Sequence, residues 1–242
     1  MVHINNIKRF INCIGSKPIH PSHSSIVMLD EYLMATDGRI GYAQRVPCGS
    51  IPSGWIDKKH FTSKSEINIT NKQVMVDGVN VEFDSVSPFT QKFIDNAINN
   101  INDVATITDI NGLLKLIAKF SKYTSINPAN NRKRTNTRGI LLIDLSNGAL
   151  LGYDEHDVNE RIILGDCSAF IDFPRTVDNK HPISFNFFAF QPVYFMRILK
   201  EMAKDCDCIK WRFNRNNSRD AYIFHDAADN ITEFYLLMPM RQ

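Results

Sequence analysis

The sequence predicts an α+β protein made of two repeated halves, each pairing two helices with antiparallel strands. Three observations carry this. Residues 108–123 and 192–204 have helical apolar spacing, through Leu113, Leu116, Ile117 and Phe120 in the first and Phe195, Met196, Leu199 and Met202 in the second. Ser146-Asn147-Gly148 and Asn216-Asn217-Ser218 each separate two apolar runs, a hairpin signal. The first half repeats the order helix, then strands, in weaker form.

Each element follows from local pattern. Ile7, Phe10, Ile11 and Ile14 lie on one face of a helix over residues 5–14, with Lys8 and Arg9 turned away. Residues 24–34 read as two extended runs around a turn at Asp30. Thr36-Asp37-Gly38 is a tight turn, because Asp-Gly tolerates positive φ. Residues 55–64 read as a short helix after the Pro52–Gly54 turn. Residues 66–83 read as strands broken at Asn71-Lys72 and Asp77-Gly78. Residues 85–104, with Pro88 and many Asn and Asp, read as the connection between domains 1–103 and 104–242. Thr108 or Asp109 caps the next helix. A polar loop spans 127–138, then strands at 139–145, 149–153, 161–164 and 184–188. Pro192 opens the second helix of this half. Residues 208–213 and 221–225 form a hairpin, and residues 232–238 a last strand. Pro239 breaks ladder pairing, which places Met240 outside the sheet.

Composition excludes several classes. The 242 residues are 22% charged with a mean hydropathy of -0.23, which suits a folded chain and neither disorder nor a membrane bundle. No run approaches the ~18 apolar residues of a spanning helix, and the first residues lack a signal-peptide core, so a cytoplasmic location and no membrane partner are expected. Five cysteines, with no C-x-x-C, read as reduced thiols. The charge of +2, from 28 Lys+Arg against 26 Asp+Glu, can still conceal a basic face. Lys115, Lys119 and Lys122 form one cationic helix stripe, and Arg197, Lys200 and Lys204 another. Side by side they would suit a phosphate backbone without reading bases. Arg132, Lys133, Arg134 and Arg138 form the densest basic cluster, a phosphate-contacting or merely solubilising loop.

Enzymatic motifs are missing: no G-x-S-x-G, Walker A, G-x-G-x-x-G or H-E-x-x-H occurs, so no catalytic residue, cofactor or metal is expected. Tyr153-Asp154-Glu155-His156-Asp157 and His20-Pro21-Ser22-His23 hint at a metal or acid–base site. Adjacent positions point apart, which favours polar loops. A metal-dependent hydrolase using Asp154–Asp157 is the enzyme alternative.

Two motifs then occur together. Met34-Ala35-Thr36-Asp37-Gly38-Arg39 resembles the ATDGHR segment of the bacterial DNA polymerase III beta subunit, the sliding clamp. Tyr235-Leu236-Leu237-Met238-Pro239-Met240-Arg241 resembles that family's C-terminal YVVMPMR. Phe185-Asn186 with the helix after Pro192, and Arg138-Gly139-Ile140-Leu141-Leu142, fit the family's order. The resemblance implies the DNA clamp fold, with the middle and last of the family's three domains, in a short phage-type member. It implies a ring around double-stranded DNA, in host cytoplasm or nucleoid, that tethers a polymerase and is not an enzyme. Six domains per ring would make three chains, a head-to-tail homotrimer. DNA-facing residues would be Lys8, Arg9, Lys58, Lys59, Lys115, Lys119, Lys122, Arg132, Lys133, Arg134, Arg138, Arg197, Lys200 and Lys204. A cleft for polymerase and clamp-loader peptides would use Thr36, Gly38, Arg39, Ile40, Leu236, Met238, Pro239, Met240 and Arg241. The family's TDGHRLA becomes Thr36-Asp37-Gly38-Arg39-Ile40-Gly41-Tyr42 here. Either the His is deleted and Ile40 replaces Leu, or Gly41 occupies the Leu position. The alternative in the same family is a decoy that binds such peptides without forming a ring.

Overall fold

The computed structural model describes residues 1–4, 6–14, 21–70, 72–85, 91–101, 103–121, 124–126, 133–135, 140–144, 148–154, 157–173, 187–214, 217, 220–228 and 231–240. Contacts divide the chain into two compact units, Met1–Asn99 with Ala228–Leu236, and Asn100–Ala227 with Leu237–Gln242.

The first unit begins with β1 (Val2–His3) and α1 (Ile7–Cys13), whose Ile7, Phe10 and Cys13 are buried. A 3-10 turn (Pro21–Ser24) leads into β2 (Ser25–Met28), β3 (Tyr32–Thr36), β4 (Ile40–Arg45) and β5 (Gly54–Asp57). The sheet order is last strand (Glu233–Leu237), β4, β3, β2, β5. Every residue of β2 and β3 is buried, so both faces of these strands are covered. α1 lies on β3 and β4. Phe10 meets Tyr42 edge-on at 4.8 Å, and Tyr32 meets Phe234 at 5.9 Å.

The short helix expected over 55–64 is instead β5 followed by a 3-10 turn (Lys58–His60). Trp55 pairs with Val27 on one side, and its backbone exchanges hydrogen bonds with Asp84 on the other, at 2.9 and 3.1 Å. Ladder bonds on both sides outweigh a weak helical pattern. Gly54 makes this possible: its φ is +155°, and a β-carbon there would sit 2.2 Å from the Asp84 carbonyl oxygen.

A second sheet, β1-β6-β7-β8, uses β6 (Ile67–Ile69), β7 (Val74–Val76) and β8 (Val79–Val81). Ile67, Ile69, Val74 and Val76 are buried while Asn68 and Met75 are half-buried, a period of two. Asp77 (φ 52°) and Gly78 (φ 78°) form the expected tight turn. Part of the segment read as a plain connection is a helix, α2 (Gln91–Asn99). Phe93, Ile94, Ala97 and Ile98 recur at helical spacing, and Ile94 is fully buried. Burial of Ile94 overrides the poor helix propensity of the asparagines.

The second unit contains β9 (Asp103–Ile107), α3 (Ile110–Ser121), β10 (Thr124–Ile126), β11 (Lys133–Thr135), β12 (Ile140–Asp144), β13 (Ala149–Asp154), β14 (Asp157–Asp166), β15 (Ile171–Asp172), β16 (Phe187–Phe190), α4 (Pro192–Met202), β17 (Ile209–Phe213) and β18 (Tyr222–Asp226). Its sheets run β15-β9-β17-β18 and β14-β13-β12-β16. Lys133–Thr135 corrects the expected loop, pairing with β10 as a two-stranded ribbon. Asp109 is the cap of α3, its carboxylate accepting the Gly112 N–H at 2.7 Å. Pro192 stands at the start of α4, as its missing N–H favours. α3 and α4 pack on each other, α3 also on β14 and α4 on β18. An aromatic cluster fills the core: Phe188 lies 4.4 Å from Trp211, and Phe190 stacks on Phe195 at 4.6 Å.

On the opposite face of β17 from Trp211, the Arg212 Nε–H donates to His225 Nε2 at 2.7 Å. That leaves the imidazole proton on Nδ1. Burial, with Arg212 adding to it, pushes the His225 pKa down to about 4. Between the ordinary value of about 6.5 and 4, the unfolded chain therefore takes a proton that the folded chain refuses. Stability should be complete above about pH 6.5 and fall by up to about 3 kcal/mol as the pH drops towards 4. Urea denaturation across this range should give a smaller pH slope for His225→Gln than for the parent; equal slopes would remove His225 from the acid response.

Candidate functional site

The Thr36–Ile40 turn joins β3 to β4 and is specified by its own side chains. Thr36 Oγ1 donates to the Ile40 carbonyl at 2.9 Å and accepts the Gly38 N–H at 3.0 Å. Asp37 Oδ1 accepts both the Arg39 and Ile40 N–H groups, at 2.8 and 2.9 Å. Gly38 takes φ +84°, and its open side faces the His23 ring, which a β-carbon would approach at 3.6 Å. These bonds leave Gly38 and Arg39 exposed at the tip, while Ile40 is only 1% exposed. Ile40 thus supplies the apolar side chain after the turn. Gly41 packs under Leu236: a β-carbon there would lie 3.4 Å from the Leu236 Cβ. Of the nine cleft residues, Ile40 and Leu236 are core, Thr36 is largely buried, and Arg241 lies outside the described residues.

The last strand is secured at its start. Glu233 Oε2 accepts from Arg9 at 2.6 Å and from the Tyr42 hydroxyl at 2.7 Å. Burial, and then the hydrogen bond to Glu233, push the Tyr42 phenol well above its ordinary range. Arg9 also lies over the Tyr42 ring at 5.8 Å. This side chain, read from sequence as turned away from the core, is 17% exposed and ion-paired. Sequence offers no signal for that pairing.

Beyond the strand, Met238 is 38% exposed and Pro239 and Met240 are half-buried. Met240 lies past the last strand but not away from backbone pairing. Its N–H donates to the Ala189 carbonyl of β16 at 3.1 Å. Its side chain packs on Leu142 and Ala189, among Ile140, Leu151 and Phe187. The tail therefore rests as a short extension on the edge of β16.

Among the candidate DNA-facing residues, Lys8, Lys58, Lys59, Lys115, Lys119, Lys200 and Lys204 are exposed. Arg197 is half-buried over the Tyr194 ring at 5.6 Å, and Lys204 reaches Glu201 at 2.7 Å. The packing of α3 on α4 brings their two lysine-bearing helices together. Lys122, Arg132 and Arg138 lie outside the described residues; Lys133 and Arg134 belong to β11. Asp154 and Asp157 are register partners where β13 meets β14, with Glu155 and His156 outside the described residues. Among the described residues, no group of three or more His, Cys, Asp or Glu is arranged to hold a metal ion, and no helix is long and apolar enough to cross a membrane.

No protein-family model and no curated protein sequence matches this chain. Solved structures do. The DNA polymerase III subunit beta from Pseudomonas aeruginosa aligns at a TM-score of 0.63 and 15% identity, covering 99% of this chain and 66% of its own. The DNA polymerase sliding clamp from Caulobacter crescentus aligns at 0.66 and 11%, covering 100% and 65%. A putative DNA polymerase III beta subunit from Eubacterium rectale aligns at 0.60 and 13%, covering 100% and 65%. The chain thus has the sliding-clamp fold and spans just under two thirds of the length of these structures.

The Asp37 carboxylate holds two turn amides. Asp37→Ala should lower unfolding stability by about 1–2 kcal/mol, read as a shifted urea midpoint, because each lost hydrogen bond is worth about 1 kcal/mol. An unchanged midpoint would mean the Asp37 carboxylate adds nothing to the Thr36 bonds and the Asp37 N–H to Ile40 carbonyl bond of 3.2 Å.

Proposed function

We propose that this protein is a DNA sliding clamp, a processivity factor that encircles double-stranded DNA without reading its sequence and tethers a replicative DNA polymerase. The observation that carries the reading is the match of practically the whole chain to solved sliding clamps. The packed helix pair with exposed Lys115, Lys119 and Lys200 supports it, since such a surface holds phosphates weakly and permits sliding. The two compact units act as clamp domains, corresponding to the family's middle and last domains. Six such domains per ring and two per chain make a head-to-tail homotrimer, a closing heterologous assembly. The protein is a short, phage-type clamp that works beside DNA in the host cytoplasm. It catalyses no reaction and needs no cofactor; retention comes from topology.

Partner peptides from the polymerase and the clamp loader bind the turn and tail residues. Arg39 and Met238 offer exposed groups, and Met240 offers a flexible apolar one.

Loading onto nicked circular DNA tests the ring. The protein should remain bound while the circle is closed and leave once it is linearised. Retention after cutting would contradict topological tethering, and a monomer at micromolar concentration that still binds peptides would favour the decoy reading. For the tail, Met240→Ala should weaken binding of a polymerase C-terminal peptide by about tenfold, the loss expected for a central apolar contact of 1–2 kcal/mol. Unchanged affinity in a titration would move the peptide site elsewhere.

A further inference from the structure

We propose that Lys210 and Arg212 form a carboxylate-binding site for an acidic segment of a partner protein, on the opposite side of the second unit's sheet from α3 and α4. The charge chemistry stands by itself, and only the choice of a protein carboxylate over a DNA phosphate rests on the sliding-clamp reading above.

β17 alternates strictly. Ile209, Trp211 and Phe213 are fully buried, and the Trp211 ring lies 6.5 Å from Phe195 of α4. Lys210 and Arg212 therefore take the other face, where both are half-buried. Register places His225 of β18 and Thr106 of β9 beside Lys210, and Ile223 and Val104 beside Arg212. His225 and Ile223 are at most 1% exposed, so the two cations border a covered region rather than open solvent.

Their hydrogen-bond partners carry no charge. The Arg212 Nε–H donates to His225 Nε2 at 2.7 Å, and the Lys210 ammonium donates to the Thr106 hydroxyl at 3.2 Å. Among the described residues, neither cation forms an ion pair. The carboxylates on the flanking strands and loops are placed elsewhere. Asp172 is the register partner of Thr106, two strand spacings or about 10 Å from Lys210. Asp103 and Asp226 are register partners of Phe213 and Ile209, on the core-facing side. Asp220 accepts from the Asn214 and Asn217 amides, at 2.7 Å each, and Asp205 and Asp207 precede the strand. Burial is the main reason the His225 imidazole stays neutral, and Arg212 and Lys210 both add to it against the opposing pull of Asp226.

Two half-buried cations about 7 Å apart on one strand repel each other and have lost part of their hydration. A carboxylate set between them relieves both. The Arg212 Nε–H is taken by His225, so its two Nη groups present the end of the fork, and Lys210 adds an ammonium donor. His225 orients the guanidinium beforehand, which lowers the ordering cost of binding. α4, with α3 packed on it, lies on the Trp211 side of the sheet. A duplex held by the lysines of those helices leaves the Arg212 side to a protein.

The full chain is titrated with a fluorescein-labelled hexaglutamate peptide at low salt. Lys210→Gln with Arg212→Gln should weaken binding about tenfold, the value of a hydrogen bond to a charged group. Lys58→Gln with Lys59→Gln, an equal charge loss at exposed positions, should match the parent. Lys210→Gln alone leaves the Arg212–His225 bond in place and should lose about threefold, so the site is tested even where the double variant fails to fold. Equal losses in the two double variants, or unchanged affinity in Lys210→Gln, overturn the inference. Weaker binding of a labelled duplex by the Lys210→Gln, Arg212→Gln variant also overturns it, because the face would then be a DNA contact. Retention of the parent on closed circular DNA reports on the clamp reading separately: failure there, with peptide loss confined to the Lys210 and Arg212 variants, sinks the clamp reading and leaves the carboxylate site standing.

Discussion

The carboxylate of Glu233 is the contact on which the first unit depends. Its partners are 224 residues away at Arg9 and 191 away at Tyr42. The start of the chain is therefore joined to its end, and the first unit's sheet is complete only when the last strand returns to lie beside β4. Tyr42 contributes twice, through its hydroxyl to Glu233 and through its ring to Phe10 and Tyr235 at 4.8 and 5.0 Å. Removing the carboxylate would leave a partly buried guanidinium and a buried phenol seeking partners, a larger penalty than the net value of either bond. The residues next along that strand, Phe234 to Leu237, are buried, so the polar anchor at the start fixes the register of an apolar run.

The same logic appears at the Thr36–Ile40 turn, on a smaller scale. Thr36 and Asp37 satisfy the amides of Gly38, Arg39 and Ile40, so the turn needs no outside partner to hold its shape. A self-satisfied turn can present exposed residues without losing its conformation. Gly38 is required for the positive φ, and Ile40 drives the following strand into the core.

What was legible in the sequence was what local spacing encodes. α3, α4, the Asp37-Gly38 and Asp77-Gly78 turns and the hairpin around Gly148 all announce themselves within a dozen residues. α2 was hidden because asparagines dilute its apolar stripe, and its reason to be helical is the buried Ile94. β5 was hidden because Trp55 fits either period; its strand pairs with β2, and the bridge to Asp84 decides the matter from outside the local window. Within the candidate site, Thr36 and Gly38 could be read from the motif. The backbone bond from Met240 to Ala189 could not, since Pro239 argues locally against pairing and the partner lies 51 residues earlier.

Arg9 shows why charge counted along a helix is a poor guide to a binding face. By spacing alone, Lys8 and Arg9 look alike: both fall off the apolar stripe. The distinction is made by a single distant carboxylate, which takes Arg9 out of solvent and leaves Lys8 exposed. A net charge near zero is therefore a poor measure of which cations are free to act, because pairing is decided residue by residue by carboxylates that can lie far away in the chain.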